Sequence, residues 1–152
     1  MAILSGERLT GARLTRLQPV VYEAIESGTL TRTDTTTYAD IPDASVTFTT
    51  TAANATAVVD AAFDMAVGNA DISTEMNGRI MVDGVAGTRI AKHGLDDAGL
   101  DRDSTYIYEV FNLTSAGSHT IKLQGALSGV GPGASGTFQA FTSVKVTVYE
   151  VA

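Results

Sequence analysis

Val144-Lys145-Val146-Thr147-Val148-Tyr149 is the stretch on which the fold turns. Three valines alternate with Lys145, Thr147 and Tyr149. In an extended chain this puts all the valines on one side and the polar groups on the other. A helix would scatter the same valines around its circumference. β-branched valine and threonine also suit a pleated, half-buried surface.

The same period of two runs backwards from there. His119, Ile121, Leu123 and Leu127 alternate with Thr120, Lys122 and Gln124, and Ala116-Gly117 mark the turn before them. Ile107, Phe111 and Leu113 share one face. Tyr106, Tyr108 and Val110 occupy the opposite one, which predicts a strand buried on both sides. Ile80 and Val82 lead into Asp83-Gly84, a two-residue hairpin signal. Val59, Ala61, Phe63, Met65 and Val67 fall on one face, with Asp60 and Asp64 on the other. Val46 and Phe48 alternate with Ser45, Thr47 and Thr49. About eight strands without crossover helices predict an all-β fold: an antiparallel β-sandwich, jelly-roll-like. Two stretches read as irregular, the acidic residues 91–103 and the glycine-rich residues 128–136.

Ahead of residue 28 the texture differs. Thr10 can cap a short helix over 11–17, with Leu9 and Leu14 at the hydrophobic-staple positions and Pro19 limiting its far end. Two turns of helix are not stable alone, so this segment must pack on something. The predicted organisation is a docking arm with a short helix over residues 1–27 and a β-sandwich domain over 28–152.

Composition bounds the rest. The chain has 152 residues, the size of one domain, with 44% hydrophobic and 18% charged residues. The balance is globular, not disordered. There is no Cys, which excludes disulfides, thiolate chemistry and Cys-based zinc. The only continuous apolar run near the start is Ala2-Ile3-Leu4, so no signal peptide is expected. No run approaches the ~20 apolar residues of a membrane helix, so no membrane partner is expected. Net charge is −7, unevenly placed. Arg8, Arg13 and Arg16 against Glu7 make residues 1–18 basic, while the remainder is acidic. An acidic body argues against nucleic acid, whose phosphates need Lys and Arg. A basic arm on such a body fits an acidic partner surface, and Arg8, Leu9, Arg13, Leu14, Arg16 and Leu17 are the candidate partner-binding residues.

Chemistry-bearing motifs are sparse. Asp96, Asp97, Asp101 and Asp103 are the densest carboxylates, but their spacing is not that of an EF-hand loop and no Glu closes the set. A solvated acidic loop is the simpler expectation, with no metal. His93 and His119 are the only histidines, and neither sits in an HExxH or GxSxG context. Surface or strand-end positions are expected for both. Residues 129–136 lack the Lys-Ser or Lys-Thr and the following helix of a phosphate loop. Asn54-Ala55-Thr56 and Asn112-Leu113-Thr114 match glycosylation sequons by chance. No catalytic residues and no cofactor are expected, and the chain is not expected to be an enzyme.

The arm Leu9-Thr10-Gly11-Ala12-Arg13-Leu14-Thr15-Arg16-Leu17-Gln18-Pro19 resembles the opening of small virion proteins of tailed bacteriophages, particularly those of actinobacterial hosts. Tyr38 to Ala44, Thr49 to Ala55, Val82-Asp83-Gly84, Ser115 to Gln124 and Val144 to Val151 resemble that group as well. The resemblance implies a β-sandwich on a virion, made in the host cytoplasm and carried as a homotrimer. It implies either a capsid decoration (cement) protein bound to the major capsid protein or another virion protein, or a minor tail or receptor-binding protein that touches the host surface.

Overall fold

The computed structural model describes residues 18–33, 35–69, 74–94, 101–129 and 132–150. They form ten strands: β1 (Val20–Ile25), β2 (Leu30–Thr33), β3 (Ala39–Thr50), β4 (Ala55–Asn69), β5 (Glu75–Val82), β6 (Val85–Gly94), β7 (Asp101–Leu113), β8 (Gly117–Ser128), β9 (Ser135–Phe138) and β10 (Ser143–Tyr149). The predicted helix over 11–17 lies outside the described residues.

Two strand positions are interrupted. β10 and β9 pair successive lengths of the same edge of β4, and β1 and β2 pair β10 and β9 in turn. The six-stranded sheet is therefore four positions wide: β1/β2, β10/β9, β4 and β7. The second sheet runs β3-β8-β5-β6.

Every pairing is antiparallel, and one set of them is nested: β5 with β6, β4 with β7, β3 with β8, and β1/β2 with β10/β9. The chain is thus one long ribbon whose apex is the Asp83-Gly84 turn, folded over so that alternate pairs lie in opposite sheets. This is the jelly-roll arrangement that the alternating strands predict. Asp83 has φ 50° and Gly84 φ 83°, the two left-handed residues that a type I′ hairpin needs.

The core lies between the sheets. Ala57, Val59, Ala61, Phe63, Met65 and Val67 of β4 face inward with Val144, Val146 and Val148 of β10. Met76 and Ile80 of β5 and Ile121, Leu123 and Leu127 of β8 close it from the other side. Phe63 and Phe138 meet edge to face, 6.3 Å between centroids. They reach a floor made by Gly78 and Gly125, which are direct partners across β5 and β8. A Cβ at Gly78 would lie 2.3 Å from Phe63, and one at Gly125 would lie 2.1 Å from Phe138.

Several expectations need correction. Val20–Ile25 is a sheet strand, ahead of the change in texture at residue 28. Residues 91–94 and 101–103 are strand ends of β6 and β7, and 135–136 begin β9, so neither irregular stretch is loop throughout. β7 is not buried on both sides: Ile107, Phe111 and Leu113 pack inward, but Tyr106, Tyr108 and Val110 are exposed. Asp64 shares the outer face of β4 with Asp60, yet it is buried beneath Arg102.

The glycine floor carries a prediction. Gly125→Ala forces Phe138 off its seat and should cost about 1–3 kcal/mol by overpacking. Urea unfolding should show it as a lower midpoint with an unchanged slope.

Candidate interaction surface

The chemistry-bearing side chains fall into three groups: a clasp at the ribbon apex, a seam across the six-stranded sheet, and the outer face of that sheet.

In the clasp, the Asp83 carboxylate accepts from Thr120 N (2.8 Å) and meets His119 Nδ1 at 2.7 Å. Asp83 N in turn donates to Thr120 O (2.9 Å). The other ring nitrogen faces Thr50 Oγ1 at 3.2 Å and Ser115 O at 3.1 Å. Burial works against the Asp83 charge, but the His119 ring and the Thr120 N–H hold its carboxyl below the usual range. An acid–imidazole–hydroxyl chain has the outline of a nucleophile triad. Here it lacks a reachable nucleophile, because Thr50 is 2% exposed and points into the core side of β3. His119 is a buried strand-end histidine, not a surface one; its ring packs 5.9 Å from Phe48, which stacks on Tyr22. His93 is buried as well, on β6, with Nε2 3.6 Å from Asp101. A hollow of about 520 Å³ between β6 and β7 reaches the clasp. On its wall Glu109 accepts from Thr88 N (2.6 Å) and Thr88 Oγ1 (2.7 Å), which ties the two edge strands across the sandwich. Gly87 leaves the room that this carboxylate occupies.

The seam runs where the strand interruptions meet. Glu26 N donates to Thr142 O (2.8 Å), Gln139 N donates to Asp64 O (2.8 Å), and Thr142 Oγ1 accepts from Asp64 N (3.1 Å). Arg102 grips Asp64 with two bonds, at 2.8 and 2.5 Å. Beneath the seam, Glu26 is buried, its carboxyl beside the Thr142 hydroxyl and the Leu30 backbone but outside good hydrogen-bond geometry with either. Burial, with Asp64 and Asp43 nearby, pushes its carboxyl up to about 7.

The outer face of the six-stranded sheet is a grid set by strand register. One row reads Val21, Thr147, Val58, Val110. The next reads Glu23, Lys145, Asp60, Tyr108, and the third Ile25, Ser143, Ala62, Tyr106. Tyr106 is 74% exposed and Ile25 61%. A groove of about 390 Å³ crosses the lower two rows. The outer face of the other sheet is different in kind. There Lys122 and Gln124 both bond Asp40 (2.6 Å each), Lys92 bonds Glu75 (2.9 Å), Thr47 pairs with Thr120 (3.0 Å), and Arg79 lies 3.9 Å over the Tyr38 ring. Its polar groups satisfy one another sideways.

The candidate arm residues Arg8, Leu9, Arg13, Leu14, Arg16 and Leu17 lie outside the described residues, as do Asp96 and Asp97 of the carboxylate cluster. Asp101 and Asp103 stand on β7, and among the described residues no three His, Asp or Glu side chains converge as a metal site would need. The clasp escaped notice in the sequence because its partners are 36 positions apart, although Asp-Gly before a histidine-led strand was visible.

No family model matches the chain, and no curated protein does. Solved structures do. What they share with it is a fold. The VP2 subviral particle of infectious bursal disease virus superposes with a TM-score of 0.53 at 14% identity, covering 86% of this chain and 33% of that one. Eiger TNF from S. frugiperda gives 0.50 at 7% identity, covering 89% and 95%. Dimeric latent PorU from Porphyromonas gingivalis gives 0.47 at 8%, and the chain spans 12% of its length. The chain therefore corresponds to about a third of VP2 and a small part of PorU, but to nearly all of the Eiger chain.

Two pH effects follow from the buried acids. Glu26 has a raised folded value, so its contribution is full below about 4.5 and is lost as pH rises through about 7. Stability should fall between pH 5 and pH 8, by at most about 3 kcal/mol, and Glu26→Gln should flatten that slope in urea melts. Asp83 has a lowered folded value, so it contributes above the ordinary carboxylate range and loses that contribution in acid. Asn also tolerates the left-handed turn, so Asp83→Asn removes the charge and leaves the turn. The expected loss near pH 7 is about 1 kcal/mol, since solvent at the half-exposed carboxylate weakens a charged hydrogen bond. The difference between the two proteins should close below about pH 4.

Proposed function

We propose that the protein is a non-enzymatic structural protein of a tailed-phage virion, a capsid decoration protein that fastens to the outer shell through its N-terminal arm. The observation that carries this is the use made of the reactive groups. The His119, Asp83, Glu109, Arg102 and Asp64 side chains are each engaged in bonds that tie one strand or turn to another. A sandwich built this way is a scaffold whose function lies at its surface. The basic, leucine-bearing residues 1–18 precede β1 in the sequence, and β1 is an edge strand of its sheet. Their resemblance to phage virion arms supplies the partner, and a jelly roll also builds the VP2 subviral particle.

The test is removal of residues 1–18. The truncated chain should keep its cooperative melt and lose cosedimentation with capsids. Retained capsid binding would count against the arm. Quantitative mass spectrometry of virions should give a copy number comparable with the major capsid protein; a handful of copies would move the protein to the tail or a vertex.

A further inference from the structure

We propose that the outer face of the six-stranded sheet binds the same face of a second copy, about a two-fold axis parallel to the strands and lying between β10 and β4. This does not depend on the virion assignment, and it departs from the homotrimer that the phage resemblance implies.

The grid is the argument. A two-fold axis in that position exchanges β10 with β4 and β1 with β7 and keeps each row on itself. Lys145 then faces Asp60 of the second copy, and Asp60 faces the second Lys145. Glu23 meets the Tyr108 hydroxyl. In the flanking rows Ile25 meets Tyr106 and Val21 meets Val110, apolar against apolar. A two-fold across the strands along that same row would set Lys145 on Lys145 and Asp60 on Asp60, which repel, and one displaced to a flanking row would leave neither charge facing an opposite one. The strand-parallel axis turns the row into two ion pairs.

Polarity and size agree. Lys145 lies 3.7 Å from Glu23 within its own chain, while Asp60 has no ion pair among the described residues. Tyr106, Tyr108, Val110, Ile25 and Val21 are large apolar groups on one exposed face. The face spans four strands over three full rows, flanked by the part rows Tyr149-Thr56-Asn112 and Asp64-Ser104. At strand spacing the full rows cover roughly 19 by 20 Å, and with the part rows the flat footprint is about 500 Å². Standard interfaces cover about 800 Å² per partner once surface relief is counted. Aligned packing of two sheets keeps strand directions within about 30°, which the strand-parallel axis provides.

The experiment uses the full chain. Sedimentation at about 100 μM should give the mass of two copies; one copy or three overturns the proposal. Lys145→Glu and Asp60→Lys, made separately, should each weaken self-association at least about tenfold, because each sets like charges against each other across the axis. Mixing the two variants should restore the two-copy mass, since the carboxylate introduced at position 145 of one copy then faces the amine introduced at position 60 of the other, and the native Asp60 of the first faces the native Lys145 of the second. A mixture that stays monomeric overturns the proposal, as do single variants that associate like the parent. A second variant guards against misfolding. The chain has no Cys. Sheets packed face to face stand about 10 Å apart, too far for a disulfide between facing positions but within reach of a short bismaleimide. Ile25→Cys chains mixed with Tyr106→Cys chains should therefore be joined by a bismaleimide of about 10 Å span, each thiol adding across one maleimide double bond, its sulfur to one carbon and its proton to the other. Absence of the mixed covalent pair at about 100 μM overturns the proposed facing.

Discussion

A ribbon folded over on itself needs its apex held, and Asp83 holds it. The residue does two jobs that few side chains combine. It accepts a left-handed backbone, which the tight turn requires, and it presents two carboxylate oxygens to the adjacent strand. Those oxygens fix His119 and Thr120 at the start of β8. β8 is central in its sheet, paired with β3 on one side and β5 on the other, so the register of the whole second sheet runs through this contact. A slip of one residue would turn Ile121 and Leu123 outward and bring Thr120 and Lys122 into the core. The hydrophobic pattern forbids that slip, and the clasp makes the correct register rigid at the end where the pattern is thinnest.

With register settled, the two outer faces follow from the alternation that builds the core. On the second sheet, outward positions carry Lys122, Asp40, Gln124, Arg79 and Thr47, and each finds a lateral partner. Water is the natural neighbour of such a face. On the first sheet the same positions carry Tyr106, Tyr108, Val110, Val58 and Ile25 around a short charged row. Scattered surface apolar groups need no explanation, but a grid of them on one face of a small domain does. One sequence period thus produces a largely polar face, with Ile90 exposed beside Arg79, and a more apolar one.

This explains what could be read in advance. Val144–Val148, Val59–Val67 and Ile121–Leu127 have one apolar side, and period two placed each of them correctly. Asp83-Gly84 was legible because its turn chemistry is local. The strand over Val20–Ile25 was not, because Val20 and Val21 are both apolar and both exposed, which breaks the alternation. β7 misled for a related reason. Apolar residues on both sides of a strand signal cover on both sides, and a pattern within one chain cannot say whether the second cover is its own core or another molecule. The buried state of His93 and His119 depends on partners far along the chain. So does the strand structure of 91–94 and 135–136, where Gly136 is small because Met76 and Leu127 fill the space above it. The arm residues, on which partner binding was placed, stand apart from all of this: they lie outside the described strands.

The seam shows what the fold tolerates. Interrupting two neighbouring strand positions at the same level leaves backbone groups without ladder partners. The Glu26, Thr142, Asp64 and Gln139 bonds replace the ladder there. The replacement leaves a buried carboxyl under the seam, where burial favours the protonated form while Thr142 and Leu30 favour the charged one. Glu26 contributes to the stitch through its N–H, and its side chain follows Ile25 of the outer grid by one residue. Alternation thus puts an acid on the inner side of the same chain segment whose outer side carries an exposed apolar group.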